Sequence, residues 1–272
     1  MRKLNKSNFI PEILSSFQDY DNMYLVTTFY IGPTLMKFIY EKLSEYKIKF
    51  ITACIILSLK YLREKQIIHR DLTFNNIIMD KDYYFNLIDF SFSVNYSKKN
   101  LKEFMCRGTK VLNPPEIINK TKYDYNSDYY ILGNLIFFLI FKNYPMDIKQ
   151  PMNLTQLVHN YNFTNIYSTN LFDFLSKILE RNISLRLGYK SIDELINHPW
   201  LNNIDWEKLE YKHLISPFNN IKIGKKINQC TKFNKTKEYL DAYSKVCKTD
   251  YYKKFFKIFE FSNTKGIQFL YI

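Results

Sequence analysis

The chain has 272 residues, 46% apolar and 24% charged, with a formal net charge of +13 at pH 7, which suits a soluble globular protein of one large domain, or one domain plus an appendage. Its lysines are scattered, with short clusters at 98–99, 225–226 and 253–254 and no aromatic-interleaved basic stripe, so nucleic-acid binding is not expected. Cys54, Cys106, Cys230 and Cys247 have neither zinc nor redox-pair spacing and fit a reducing compartment, cytoplasmic or nuclear; MRKLNKSNF carries no signal-peptide core; and the longest apolar run, 129–141, falls short of the ~20 residues of a membrane span.

In chain order, EILSSF (12–17) and MYLVTTFYI (23–31) are β-branched, aromatic and of strand length, and Pro33 marks a boundary. From about 34 to 66 apolar residues recur at helical spacing, as at Ile51, Cys54, Ile55, Leu59 and Leu62. IIH, NIIM and YFNLID then read as short strands, and helices are expected over 127–141, 170–180 and 191–197, the first buried on all sides. A strand-rich start followed by a helical body is an α+β pattern. From about 219 the sequence becomes polar and basic, then aromatic again in YYKKFFKIFEF, which reads as an extended tail rather than a second domain.

One stretch, IIHRDLTFNN (67–76), places an Asp and an Asn five residues apart on a loop after an apolar strand. It is either a polar turn or a loop that holds a base and a metal ligand. LIDFS (87–91) follows, then GTKVLNPPE (108–116), DYYILG (128–133), RLG (186–188) and HPW (198–200). In this order and spacing the chain resembles a eukaryotic protein kinase from residue 1 to about 218, and HPWLNNIDWEKLEYKHLISPF with the later FKIFEF is similar to the AGC group, the cyclic-nucleotide-dependent kinases and their relatives.

The resemblance implies a protein-kinase-like α+β fold: a truncated strand-rich small lobe and hinge over 1–30, a mainly helical large lobe over 31–218, and an AGC-like C-terminal tail over 219–272. It implies a serine/threonine kinase that uses ATP and Mg²⁺ on a protein substrate, with a regulatory protein as a further partner. Asp71 matches the catalytic base, Asn76 and Asp89 the Mg²⁺ ligands, Thr27 the gatekeeper, Thr28 to Tyr30 the hinge backbone, and Ile78 the apolar floor under adenine. His69, Arg70, Glu116, Asp128 and Arg186 match structural positions: Glu116 and Arg186 a buried ion pair, and Asp128 an acceptor for the catalytic loop's amides.

Four departures stand beside these matches. Met1 falls partway along the family's regulatory helix, and no GxGxxG or paired strand lysine occurs in the chain. The catalytic-loop lysine is Thr73, the glycine after Asp-Phe is Ser91, and Met105 stands near the usual activation-segment phosphosite, with Glu103 as a charge that could pair with Arg70. A pseudokinase scaffold is therefore the alternative reading. Asn75 and the acid-free stretch 134–141 imply a substrate preference that is not Arg-directed. The tail aromatics Phe256, Phe259 and Phe261 are expected to lack their groove and to seek another surface, such as the strands near Phe9 and Phe17.

Overall fold

The computed structural model describes residues 7–18, 23–96, 112–119, 123–145 and 166–223, together with the backbone of 261–262. Two antiparallel strands, β1 (Ile13–Gln18) and β2 (Met23–Thr27), open the fold. Phe17 lies opposite Tyr24 and their rings stack at 4.9 Å, a cross-strand pair of the kind that sets register. The sequence places the second strand at 23–31, but it stops at Thr27. Beyond it one further backbone bond continues the pairing, Thr28 N–H to the Glu12 carbonyl (3.0 Å), and the chain then passes beside Met79 at Gly32 and Pro33.

The expected helix over 34–66 is two elements. A 3₁₀ turn, Leu35–Phe38, precedes α1 (Glu45–Glu64), which Ser44 caps by accepting the Lys47 amide. Apolar spacing alone carries across the break because Phe38 and Leu43 are both buried, yet the chain between them leaves the helical path. Two residues past the end of α1, Gln66 takes a left-handed φ of 58°.

β3 (Ile67–Ile68), β4 (Ile77–Met79), β5 (Phe85–Leu87) and β6 (Val94–Asn95) follow, paired β3 with β6 and β4 with β5. These two-stranded ribbons are too short to stand alone. They persist because β3 and β5 pack on α1, with Ile68, Ile77, Phe85 and Leu87 fully enclosed. A short α2 (Pro115–Ile118) leads to α3 (Tyr125–Phe141), where Asp124 and Ser127 form a capping box and Lys142 closes the helix in the left-handed region. As the sequence implies, α3 is buried on nearly every side. α4 (Thr169–Ile178) packs its apolar face on α3, while α5 (Asp193–Ile196) is shorter than the expected 191–197 because the chain turns at Asn197 before Pro199. α6 (Trp206–Glu210) completes the helices.

Two segments outside regular elements seal this core. Phe9, 1% exposed, accepts the Leu87 amide (3.0 Å) and the Ser58 hydroxyl (3.1 Å) through its carbonyl. Phe218 packs edge-on against Phe38 and Phe85. At the far end of the chain β7 (Phe261–Ser262) pairs antiparallel with β1, Phe261 opposite Ser16 and Ser262 opposite Ser15. Only the backbone of these two residues is described; the side chain of Phe261, and Phe256, Phe259, Met105 and Glu103, lie outside the described residues.

Candidate active site

The loop from His69 to Asn76 joins β3 to β4, and its shape is set from below by one buried carboxylate. Asp128, in the first turn of α3 and 2% exposed, accepts the amides of His69 (2.8 Å) and Arg70 (3.0 Å) and the hydroxyl of Tyr123 (2.8 Å). Arg70 takes a left-handed φ of 69°, which turns both amides toward the same side chain; its Nε donates to the Phe92 carbonyl (2.7 Å). The Tyr123 bond was not legible as a site contact from the sequence, since a tyrosine five residues before the Asp carries no family signal of its own.

His69 is fully buried, and burial holds its ring well below the usual imidazole range, at about 4, so it is neutral at pH 7. The Asp71 amide donates to its Nδ1 (3.3 Å), which leaves the proton on Nε2 to reach the Ile88 carbonyl (3.1 Å). Phe90 sets its ring edge-on to His69 at 5.0 Å. One histidine thus ties the loop that carries Asp71 to the segment that carries Asp89.

Asp71 and Asn76 are in direct contact. The Asn76 Nδ2 donates to the Asp71 Oδ2 (2.8 Å) and to its carbonyl (2.9 Å), and the Asn76 amide donates to the Thr73 carbonyl (3.1 Å) and hydroxyl (3.3 Å). Asp89 is brought alongside by the Ile88 amide, which donates to the Asn76 carbonyl (2.8 Å). Burial raises the Asp71 carboxyl above its ordinary value; the Asn76 bond lowers it and the Asp89 charge raises it further. Asp89 sits at a left-handed φ of 61°, with its Oδ1 accepting both the amide (3.1 Å) and the hydroxyl (2.6 Å) of Ser91. The resemblance marks Ser91 only as a lost glycine. Its own backbone is not among the left-handed residues, so serine is unstrained there.

Thr27, Thr28 and Tyr30, the residues that the resemblance assigns to a gatekeeper and hinge, end β2 or follow it. The Thr28 hydroxyl accepts the Glu12 amide (3.1 Å), and the Thr27 hydroxyl donates to the Thr28 carbonyl (3.4 Å). The backbone of Tyr30 makes no hydrogen bond among the described residues, and burial pushes its phenol up to about 12. Ile78, half-buried in β4, bridges to Thr34, and the Gly32 amide donates to the Met79 carbonyl (3.1 Å). A Cβ on Gly32 would stand 2.3 Å from the Met79 oxygen, so only glycine allows this close approach of hinge and floor.

Glu116 and Arg186 lie apart from the cleft, as a buried bidentate pair at 2.7 and 2.9 Å. Ser127 donates to Glu116 (3.0 Å), and Arg186 also reaches the carbonyls of Asn126 and Glu180 and lies over the Tyr130 ring.

Asp128 carries a pH signature. Burial raises its carboxyl from 3.8 to about 6, against the pull of Tyr123 and the two amides. A raised carboxyl means that the folded state binds the proton more tightly, so this group's contribution to stability falls as pH rises from about 4 to about 6. Loop order runs the opposite way: only the ionised form can accept both amide bonds fully. Protection of the His69 and Arg70 amides from hydrogen exchange, corrected for intrinsic rates, is expected to fall as pH drops below about 6, and Asp128→Asn should abolish that step.

The protein kinase domain family matches residues 1–201. The chain is 32% identical over 217 residues to the cAMP-dependent protein kinase catalytic subunit of Schizosaccharomyces pombe, a match covering 77% of this chain and 42% of that protein. It is 31% identical over 228 residues to the serine/threonine-protein kinase sck2 of the same organism, covering 80% and 35%, and 29% identical over 219 residues to cGMP-dependent protein kinase 2 of Rattus norvegicus, covering 78% and 29%. The chain spans less than half the length of these relatives.

Proposed function

The chain belongs to the protein kinase family, with AGC-group kinases among its relatives, and on that premise we propose that it transfers the γ-phosphoryl group of Mg-ATP to a serine or threonine hydroxyl of a protein. The observation that supports this reading is the pair of bonds made by Asn76, whose side chain holds Asp71 and whose carbonyl accepts the amide of Ile88, the residue before Asp89.

Asp71 is the base for the substrate hydroxyl: it is an acceptor kept in place by Asn76, with its basicity raised by burial. The Asn76 Nδ2 is committed to Asp71, which leaves its Oδ1, and Asp89 keeps its Oδ2 beyond the Ser91 bonds; these are hard oxygen donors that fit Mg²⁺. When bound, Mg²⁺ neutralises charge on the phosphates. Thr28 to Tyr30 offer backbone to adenine, over the apolar side chain of Ile78. Asp128, His69 and Arg70 position the loop, and the Glu116–Arg186 pair braces the platform beneath it.

A substrate that is not Arg-directed is part of the proposal. Asn75 is neutral, and Phe138 of α3 packs on Phe74 (5.4 Å) and Tyr144 (4.6 Å), so aromatic surface stands beside the loop. A reducing compartment, cytoplasmic or nuclear, and a regulatory protein partner complete it. Among the described residues no helix is long and apolar enough to cross a membrane. The second reading, a pseudokinase scaffold, is favoured by Thr73: its hydroxyl closes the loop turn on Asn76 and brings no cation to the phosphates.

The test is transfer of labelled phosphate from Mg-ATP to a degenerate Ser/Thr peptide library. Incorporation is expected from the chain and none from Asp89→Asn; equal incorporation by both would locate the activity elsewhere, and none by either would favour the scaffold.

A further inference from the structure

We propose that Asn134 is a positioning residue for the protein substrate: its side chain holds the stretch Leu112–Pro114 beside the loop that carries Asp71, at a cost to the stability of the fold. The inference rests on the phosphotransfer reading of the cleft. From Gly133 to Phe141 in α3, Asn134 is the one polar side chain in an apolar run, and it is fully buried. Its Nδ2 donates to the Leu112 carbonyl (3.0 Å), while its Oδ1, equally enclosed, meets no donor among the described residues. Turning the amide over would not mend this, because the Oδ1 would then face a carbonyl that can only accept.

An unpaired buried acceptor costs at least as much as an ordinary hydrogen bond contributes, so asparagine is a poor choice here for the fold alone. A leucine of similar size would make this part of the helix apolar throughout. What the asparagine secures is the place of Leu112. From there the chain runs to α2, whose first turn is tied back by the Pro114 carbonyl, the acceptor for the amides of Ile117 (2.9 Å) and Ile118 (3.2 Å).

The position on α3 fixes what this stretch stands beside. Residues four apart on a helix share a face. Phe138, four residues after Asn134 and half-buried, packs on Phe74 (5.4 Å), which follows Asp71 by three residues on the same loop. One face of α3 thus carries Leu112 and Phe74 on successive turns, and a peptide that brings its hydroxyl to Asp71 has Leu112–Pro114 as a wall. A residue that only supported the fold would lower stability and substrate binding together. Asn134 should separate them: its loss weakens substrate binding while stability holds or rises.

The experiment compares wild type, Asn134→Leu and Asn134→Val, the smaller variant guarding against overpacking by leucine. It reads thermal melting of the full chain and steady-state transfer from Mg-ATP to the single best peptide of the Ser/Thr library. The variants are expected to melt no lower than wild type, to raise the peptide KM about 3- to 10-fold, the scale of one hydrogen bond, and to leave the KM for ATP within about twofold. Amide exchange should quicken at Ile117 and Ile118 and stay unchanged at His69 and Arg70. In both variants, an unchanged peptide KM, a parallel rise in the KM for ATP, or a melting midpoint lowered by more than about 5 °C would overturn the role of Asn134 and leave the phosphotransfer reading standing. A wild type that transfers no phosphate would overturn that reading, and the role of Asn134 with it.

Discussion

Asp71→Asn is expected to slow phosphoryl transfer by about 10²- to 10⁴-fold, the usual contribution of a positioned general base. The substitution is close to isosteric and the loop has reason to keep its shape. Asn76 also holds the Asp71 carbonyl at 2.9 Å, and the neighbouring amides are tied to Asp128 rather than to the side chain being changed. An amide oxygen at position 71 could still accept the Asn76 bond. What is lost is the acceptor for the substrate proton, so kcat should fall while nucleotide affinity and thermal midpoint stay near wild type. A fall in the midpoint of several degrees would show that Asp71 acts through the fold; unchanged kcat would remove it from the mechanism. The effect should also exceed that of any single substitution at Thr73, whose hydroxyl and carbonyl only close the turn on the Asn76 amide.

Parts of this site were legible because they are local. Asp71 and Asn76 are five residues apart on one loop, and a carboxylate and an amide at that spacing can meet without help from the rest of the fold, as they do at 2.8 Å. Asp128 and Glu116 were legible through the order of the motifs, since nothing in the residues around Glu116 names Arg186, seventy positions on. Other features turn on tertiary packing. Phe9 belongs to no regular element, yet it lies against α1 and β5. The break before Ser44 is masked by apolar residues that stay in helical phase after the backbone has left the helix. The second strand ends four residues early because its pairing with the first runs out at the Thr28–Glu12 bond and the chain then bonds to β4 through Gly32, while β-branched and aromatic composition continues to residue 31. Ser91 shows the limit most clearly: the motif reads as a missing glycine, and only the geometry reveals the bond gained.

Glu116→Ala is expected to destabilise the fold by about 3–5 kcal/mol, the penalty for removing one partner of a buried ion pair. Arg186 is 1% exposed and Glu116 9% exposed, and the two charges meet in a bidentate contact at 2.7 and 2.9 Å. Removing the carboxylate leaves a guanidinium that cannot lose its proton, enclosed by Tyr130 and with only the carbonyls of Asn126 and Glu180 for company. It also strands the Ser127 hydroxyl, which donates to Glu116 at 3.0 Å within the capping box that starts α3. Because Asp128 follows in the same first turn, the damage should reach the catalytic loop: amide protection at His69 and Arg70 should fall with the thermal midpoint. For a body of this size the midpoint should drop by about 6–20 °C. The decisive comparison is a double variant, Glu116→Met with Arg186→Leu. Attraction between buried charges is largely offset by their desolvation, so the paired apolar replacement should recover most of the stability lost in Glu116→Ala. Failure to recover it would mean that Arg186 is needed chiefly for its bonds to Asn126 and Glu180, as a clamp on the start of α3 rather than as a counter-charge.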